Sequence, residues 1–171
     1  GIGGSGAHQN EAECSQPKIF GDEKEKNGPS VVKKGKFIIV VADYHQKYSD
    51  GMVKAARKVL SGHKVEEVRV PGTFEVPLAV KRALQKKPDA VLALGLVWQG
   101  ETAHAGLILK SATEALMRLM MATDVPILHH LVEVKTERQA RERCLGKLNR
   151  GREAAEAALR MWKLKGVGRV G

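Results

Sequence analysis

The chain has 171 residues, of which 43% are hydrophobic, so it can bury a core and is not a disordered chain as a whole. It contains no unbroken apolar stretch near the roughly 20 residues that cross a bilayer, and the opening GIGGSGAHQN lacks the apolar region of a secretory signal, so a cytoplasmic protein is expected. The net charge of +10 is concentrated between Lys135 and Gly171 and favours anionic ligands, phosphorylated metabolites or nucleic acid, without choosing between them.

Residues 1–35 are polar, Gly-rich and without apolar period, which predicts a flexible extension, with Ile19-Phe20 as a local anchor. Lys36 to Ala42 is a continuous β-rich apolar run, expected as a buried strand. Residues 46–61 carry Met52, Val53, Ala56, Val59 and Leu60 at helical spacing, and Gly62 closes that helix. Val65 to Val70 reads as a second strand stopped by Pro71-Gly72, followed by a helix from Val76 to Lys86 with Pro77 in its first turn. A third strand is expected from Ala90 to Leu94, then a loop from Gly95. A long helix from Thr102 to Thr123 has Leu107, Leu109, Leu116, Leu119 and Met120 on its apolar side. Val125 to Leu128 opens a fourth strand. Helices over Glu137–Leu145 and Arg150–Leu164 complete a domain over 36–165, before a basic Gly-rich tail at 166–171.

Strands alternating with helices, each strand apolar on both faces, predict an α/β fold: a mostly parallel four-stranded sheet covered on both sides, a three-layer αβα sandwich. Ligands in such sheets bind beyond the carboxyl ends of the strands. That rule selects Asp43-Tyr44-His45, Gly72 to Glu75, Gly95 to His104, and His129-His130, which is expected near the end of the fourth strand.

The segment LGLVWQGETAH, Leu94 to His104, carries the most chemistry. Gly95 and Gly100 permit close backbone approach or positive φ. Gly100-Glu101-Thr102 leads into the long helix, whose free amides can hold a phosphate, with His104 beside it in the first turn. The same pattern also fits an ordinary turn with Thr102 as N-cap. In PGTFEVP, Pro71 to Pro77, pattern alone favours a rigid turn with Phe74 in the core and Glu75 complementing the following helix dipole. The charges around Arg143 read by themselves as a solvated face. His129 and His130 point to opposite faces of a strand and cannot easily share one metal ion. Cys14 and Cys144 form neither a disulfide framework nor a metal motif, and are expected as free thiols.

Three blocks taken together, VRVPGTFEVP, LGLVWQGETAH, and ERQARERC followed by NRGREAAEAAL, resemble the lumazine synthase family in order and spacing. The resemblance spans about Lys36 to Leu164. It implies a flavodoxin-like fold and an enzyme of riboflavin biosynthesis. Such an enzyme joins 5-amino-6-ribitylaminouracil to 3,4-dihydroxy-2-butanone 4-phosphate, with neither metal nor organic cofactor. It implies that His104 moves protons and that Gly100, Glu101, Thr102 and Arg143 bind phosphate. Tyr44 would stack on the pyrimidine. Thr73, Phe74 and Glu75 would hold the ribityl chain and ring edge, and the Val97-Trp98 backbone with Gln99 the pyrimidine edge. His129 stands where a phenylalanine often packs the ring from a neighbouring subunit, and Arg150 where a lysine is common near the pyrimidine.

The chain departs from the family at Ala105-Gly106, where an aromatic and an acid often follow the histidine, and at His45, where asparagine is frequent. The resemblance further implies sites shared between subunits of a homopentamer, sometimes a decamer or a 60-subunit icosahedral shell, with an extension strand around Ile19-Phe20 added to a neighbour's sheet. The expected partners are small-molecule substrates and copies of the chain, with no nucleic acid and no membrane. The nucleic-acid alternative has the charge but no recognition motif or stacking array.

Overall fold

Phe37 to Val41 are completely buried, as a strand covered on both faces requires. They belong to β1 (Lys36–Ala42) of the computed structural model, which describes residues 33–100 and 103–164. The other elements are α1 (Gln46–Val59), β2 (Lys64–Val70), α2 (Val76–Leu84), β3 (Ala90–Trp98), α3 (His104–Thr123), β4 (Ile127–Val134), α4 (Glu137–Cys144) and α5 (Arg150–Leu164). A 3-10 turn, Thr73–Glu75, leads into α2. All described residues fall in one compact unit, Lys33–Gly171. Ile19, Phe20, Cys14, Glu101, Thr102 and the tail lie outside the described residues.

The sheet order is β2-β1-β3-β4, and every pairing is parallel. Strand alternation divides the apolar residues between two layers. Phe37, Ile39 and Val41 of β1 and Leu92, Leu94 and Leu96 of β3 pack with α1, α4 and α5. Ile38, Val40 and Ala42 with Val91 and Ala93 pack with α2 and α3. The result is the three-layer α/β sandwich that the alternation of elements predicts, in the flavodoxin-like strand order.

α1 lies closer to the end of α4 and the start of α5 than ordinary side chains permit. A Cβ on Gly151 would lie 2.0 Å from the Met52 carbonyl oxygen, and one on Gly51 would lie 2.6 Å from that of Cys144. Asn149 closes the same seam. Its Nδ2 donates to the carbonyls of Gly51 and Cys144, and its Oδ1 accepts the Gly151 and Arg152 amides at the start of α5. Cys144 is a free, buried thiol, and burial pushes its pKa up to about 11.

Three expectations change. β3 does not end at Leu94, because Gly95 to Trp98 continue the ladder with β4 from Leu131 to Val134. The long helix begins at His104, after an Ala103 N-cap that offers no side-chain bond. Leu107 is not on the core side: it is exposed, while Ala105, Ala112 and Leu116 are the buried residues of α3.

Candidate active site

β1 and β3 are neighbours, yet their chains leave for opposite layers, β1 into α1 and β3 into α3. A crevice opens between their carboxyl ends at such a switch in strand order. Here it is a cleft of about 460 Å³. Tyr44 and His45 line it from the loop after β1, and Gly72 to Glu75 from the turn after β2. Leu96, Val97 and Trp98 line it from the end of β3, with Gly100 beyond, and His104, Ala105 and Ile108 from the start of α3.

The end of β3 reaches past β1. The last β1–β3 pair is Val41 with Leu94, whereas Gly95 to Trp98 pair with β4 alone. The amides of Val91 and Gln99 donate toward β4, to Pro126 and Val134. Alternation then turns the backbone groups of Leu96 and Trp98 toward the β1 side, where the cleft begins. Gly95 brings the turn after β2 down onto this strand. A Cβ there would lie 3.0 Å from the Ala42 Cβ, 3.1 Å from Leu131 Cδ2 and 3.5 Å from Thr73 Oγ1. Gly95 therefore serves close approach, whereas Gly100 has open space where its Cβ would be, and neither takes a positive φ.

In the turn itself Thr73 is buried and faces the sheet, and the Glu75 amide bonds back to the Gly72 carbonyl at 3.3 Å. Phe74 is 65% exposed. Pattern alone puts that ring in the core, but Thr73 and Val76 take the inward positions and leave Phe74 at the cleft. Tyr44, on the loop after β1, is 78% exposed. Two large rings standing in solvent beside a concave, largely apolar surface have the character of a binding site rather than of folding.

Behind Tyr44 the rings are stacked edge to face. His45 lies 4.8 Å from Tyr44 and 6.1 Å from Trp98, and Trp98 lies 6.5 Å from Tyr48. Burial among these groups lowers the His45 pKa below the usual histidine value. The Glu75 carboxylate and the His104 imidazole also stand in solvent at the cleft. The first turn of α3 adds amides with no partner inside the helix. The cleft can hold a planar ring against aromatic side chains, accept hydrogen bonds at Glu75, and offer an anion both amides and an imidazole.

Not every expected residue meets here. Gln99 is exposed next to Trp98 and outside the lining. His129 is the third residue of β4, paired with Ala93, so it lies mid-strand rather than near the strand end. Its Nε2 is 2.8 Å from Thr113 Oγ1 on the α3 side. His130 faces α5, where burial lowers its pKa despite the Glu153 carboxylate. Arg143 is anchored at the carboxyl end of β4, where Nη1 donates to the Glu133 carbonyl at 3.0 Å. Glu133 pairs with Val97, so Arg143 is held one strand away from the cleft and outside its lining. Arg150 pairs with Glu153 at the start of α5, also outside the lining.

Ala105 and Ile108 line the cleft from outside the selected segments, while His45 and Leu96 line it from inside them without an assigned role. Ile108 follows His104 by four positions and so shares its helix face, a signal present in the sequence. The place of Leu96 depends on how far β4 extends the ladder, which no local pattern carries.

Known proteins supply the remaining comparison. The family described as 6,7-dimethyl-8-ribityllumazine synthase matches residues 34–166. A protein of that name from Xanthobacter autotrophicus is 36% identical over 155 residues, covering 83% of this chain and 94% of the relative. One from Halorhodospira halophila is 38% identical, covering 74% and 85% respectively. One from Thermococcus kodakarensis is 36% identical, covering 74% and 83%. With its parallel β2-β1-β3-β4 sheet and a match across nearly all described residues, the chain belongs to the 6,7-dimethyl-8-ribityllumazine synthase family, transferases of riboflavin biosynthesis.

Proposed function

We propose that this protein condenses 5-amino-6-ribitylaminouracil with 3,4-dihydroxy-2-butanone 4-phosphate to give 6,7-dimethyl-8-ribityllumazine, in the cleft between β1 and β3. The observation that carries the reading is the convergence of Tyr44, Phe74, Glu75, the β3 overhang and His104 on that one cleft. Tyr44 stacks on the pyrimidine, and the end of β3 at Val97 and Trp98 meets its edge. Thr73, Phe74 and Glu75 hold the ribityl chain. The start of α3, with Gly100, Glu101 and Thr102, receives the phosphate. The amine attacks the ketone and water leaves as the imine forms. Phosphate is then eliminated, and ring closure expels a second water. His104 carries protons between these steps, since an imidazole can both accept and donate a proton.

Arg143, Arg150 and His129 belong to the same reaction from a neighbouring copy. That they lie outside the cleft lining of their own chain supports a site completed between subunits. The working unit is accordingly a homo-oligomer, a pentamer or a closed assembly of pentamers, and it acts in the cytoplasm. No helix among the described residues is long and apolar enough to cross a membrane.

Mixing the purified protein with both substrates and following lumazine fluorescence tests the reading. Product should accumulate, and its absence would overturn the proposal. His104→Ala should lower kcat by about 10²-fold or more. It should not abolish turnover, because juxtaposition of two bound substrates alone is worth roughly 7–11 kcal/mol. An unchanged kcat would remove His104 from the mechanism.

A further inference from the structure

Arg69, near the end of β2, meets three carboxylates at once. Its Nη1 is 2.8 Å from Asp43 Oδ1, its Nη2 is 2.8 Å from Asp50 Oδ1, and its Nε is 2.7 Å from Glu67 Oε1. The second oxygen of Glu67 is held by Arg57, also at 2.8 Å. The carboxylates come from different elements: Asp43 from the loop after β1, Asp50 from α1 and Glu67 from β2.

Asp43 and Asp50 bracket Tyr44 and His45. The Asp43 amide donates to the Val70 carbonyl at 2.8 Å, so β2 grips this loop through backbone and side chain together. Ser49 adds a third tie, donating to the Ala42 carbonyl at 2.7 Å. An isolated surface ion pair does little. A planar guanidinium engaged along all its edges is different, because it fixes the relative geometry of the elements it joins. Here it also neutralises. Among the described residues Arg69 is the cation paired with both Asp43 and Asp50, and without it Arg57, which reaches only Glu67, would be left to offset the three carboxylates.

We infer that Arg69 is a positioning residue for the proposed reaction: by gripping Asp43 and Asp50 it holds the loop that presents the Tyr44 ring to the cleft. This rests on the reading of that cleft as the ribitylaminouracil site. A loop ordered before binding does not have to be ordered during it, so the benefit falls on capture of the pyrimidine.

Steady-state kinetics of the intact assembly provide the test. Arg69→Ala should raise KM for ribitylaminouracil by roughly 3- to 30-fold, within the range of couplings between contacting residues. The KM for the butanone phosphate and kcat should stay within about twofold. Asp43→Ala, which removes the grip from the other side, should change the same KM in the same direction, and it serves if Arg69→Ala does not assemble. Arg57→Ala, which touches only Glu67, should leave both KM values unchanged. The decisive measurement is the double variant: in a Tyr44→Ala background, Arg69→Ala should have no further effect. An equal rise in that background, a rise of both KM values together, or a matching rise in Arg57→Ala would overturn the positioning role. If Tyr44→Ala by itself leaves the ribitylaminouracil KM unchanged, the reading of the cleft fails first and takes this inference with it.

Discussion

Two aromatic clusters stand at opposite ends of the sheet, each built on a histidine and a tryptophan, and they do different work. At the amino end His63 packs edge-on against Trp162 at 4.9 Å and Phe37 at 5.3 Å. At the carboxyl end His45 packs edge-on against Tyr44 at 4.8 Å and Trp98 at 6.1 Å. The first is sealed: Phe37 is completely buried, and His63 Nδ1 accepts the Gly35 amide at 3.0 Å. The second is open, with Tyr44 largely in solvent. Nearly the same residue types pack around a buried ring at one end and leave an aromatic ring in solvent at the other, where the proposed reading places the substrate.

The comparison predicts a separation of effects. Phe37→Ala should cost about 3–5 kcal/mol of stability, the loss expected for a fully buried ring. Tyr44→Ala should cost less than about 1 kcal/mol, as for an exposed position, while impairing turnover. Denaturation midpoints measured beside activity would reveal this crossing of effects, and equal losses of stability would erase the distinction. Gly35→Ala should cost about 1–3 kcal/mol by overpacking. A Cβ there would lie 2.7 Å from Phe37 Cε2 and 3.1 Å from Trp162. A variant as stable as the parent would show that the sealed cluster has slack.

The smallest effect concerns pH. Burial lowers the pKa of His45 and of His130, so the unfolded chain binds more protons than the folded one just below the ordinary histidine value of about 6.5. Their contribution to stability is complete above that value and declines as pH falls through it toward the folded pKa values. The midpoint should therefore decrease as pH falls below about 6.5, and His130→Gln should flatten part of the slope. A midpoint that rises on acidification would contradict the burial of these rings.

Most of the architecture was readable because it rests on local signals. Lys36 to Ala42 is apolar at nearly every position, and such a run fits only a strand covered on both faces. What escaped depends on partners distant in the chain. The overhang of β3 is set by its ladder with β4. The exposure of Phe74 follows from Thr73 and Val76 taking the inward places, and a Pro-flanked aromatic carries no sign of that. Arg69 sits in VEEVRV, which reads in sequence simply as a second strand. Its role depends on Asp43 and Asp50, more than fifteen positions away in sequence but within 3 Å in space. The blocks around Gly72 and His104 identified the cleft walls because the chemistry and the chain turns coincide there.

The cleft has a topological origin, since it opens where β1 and β3 part into opposite layers. No side chain creates the hollow, and so none needs to be kept to preserve it. Scaffold and recognition are thereby uncoupled: lining residues such as Tyr44 or Phe74 can be exchanged to retune what is held, at little risk to the core. The burden of permanence falls instead on the residues behind the hollow, where Gly95 admits the turn that carries Thr73 and the Arg69 fork braces the opposite rim. Variation that retunes binding would thus collect on the visible walls, while the unseen supports stay constrained.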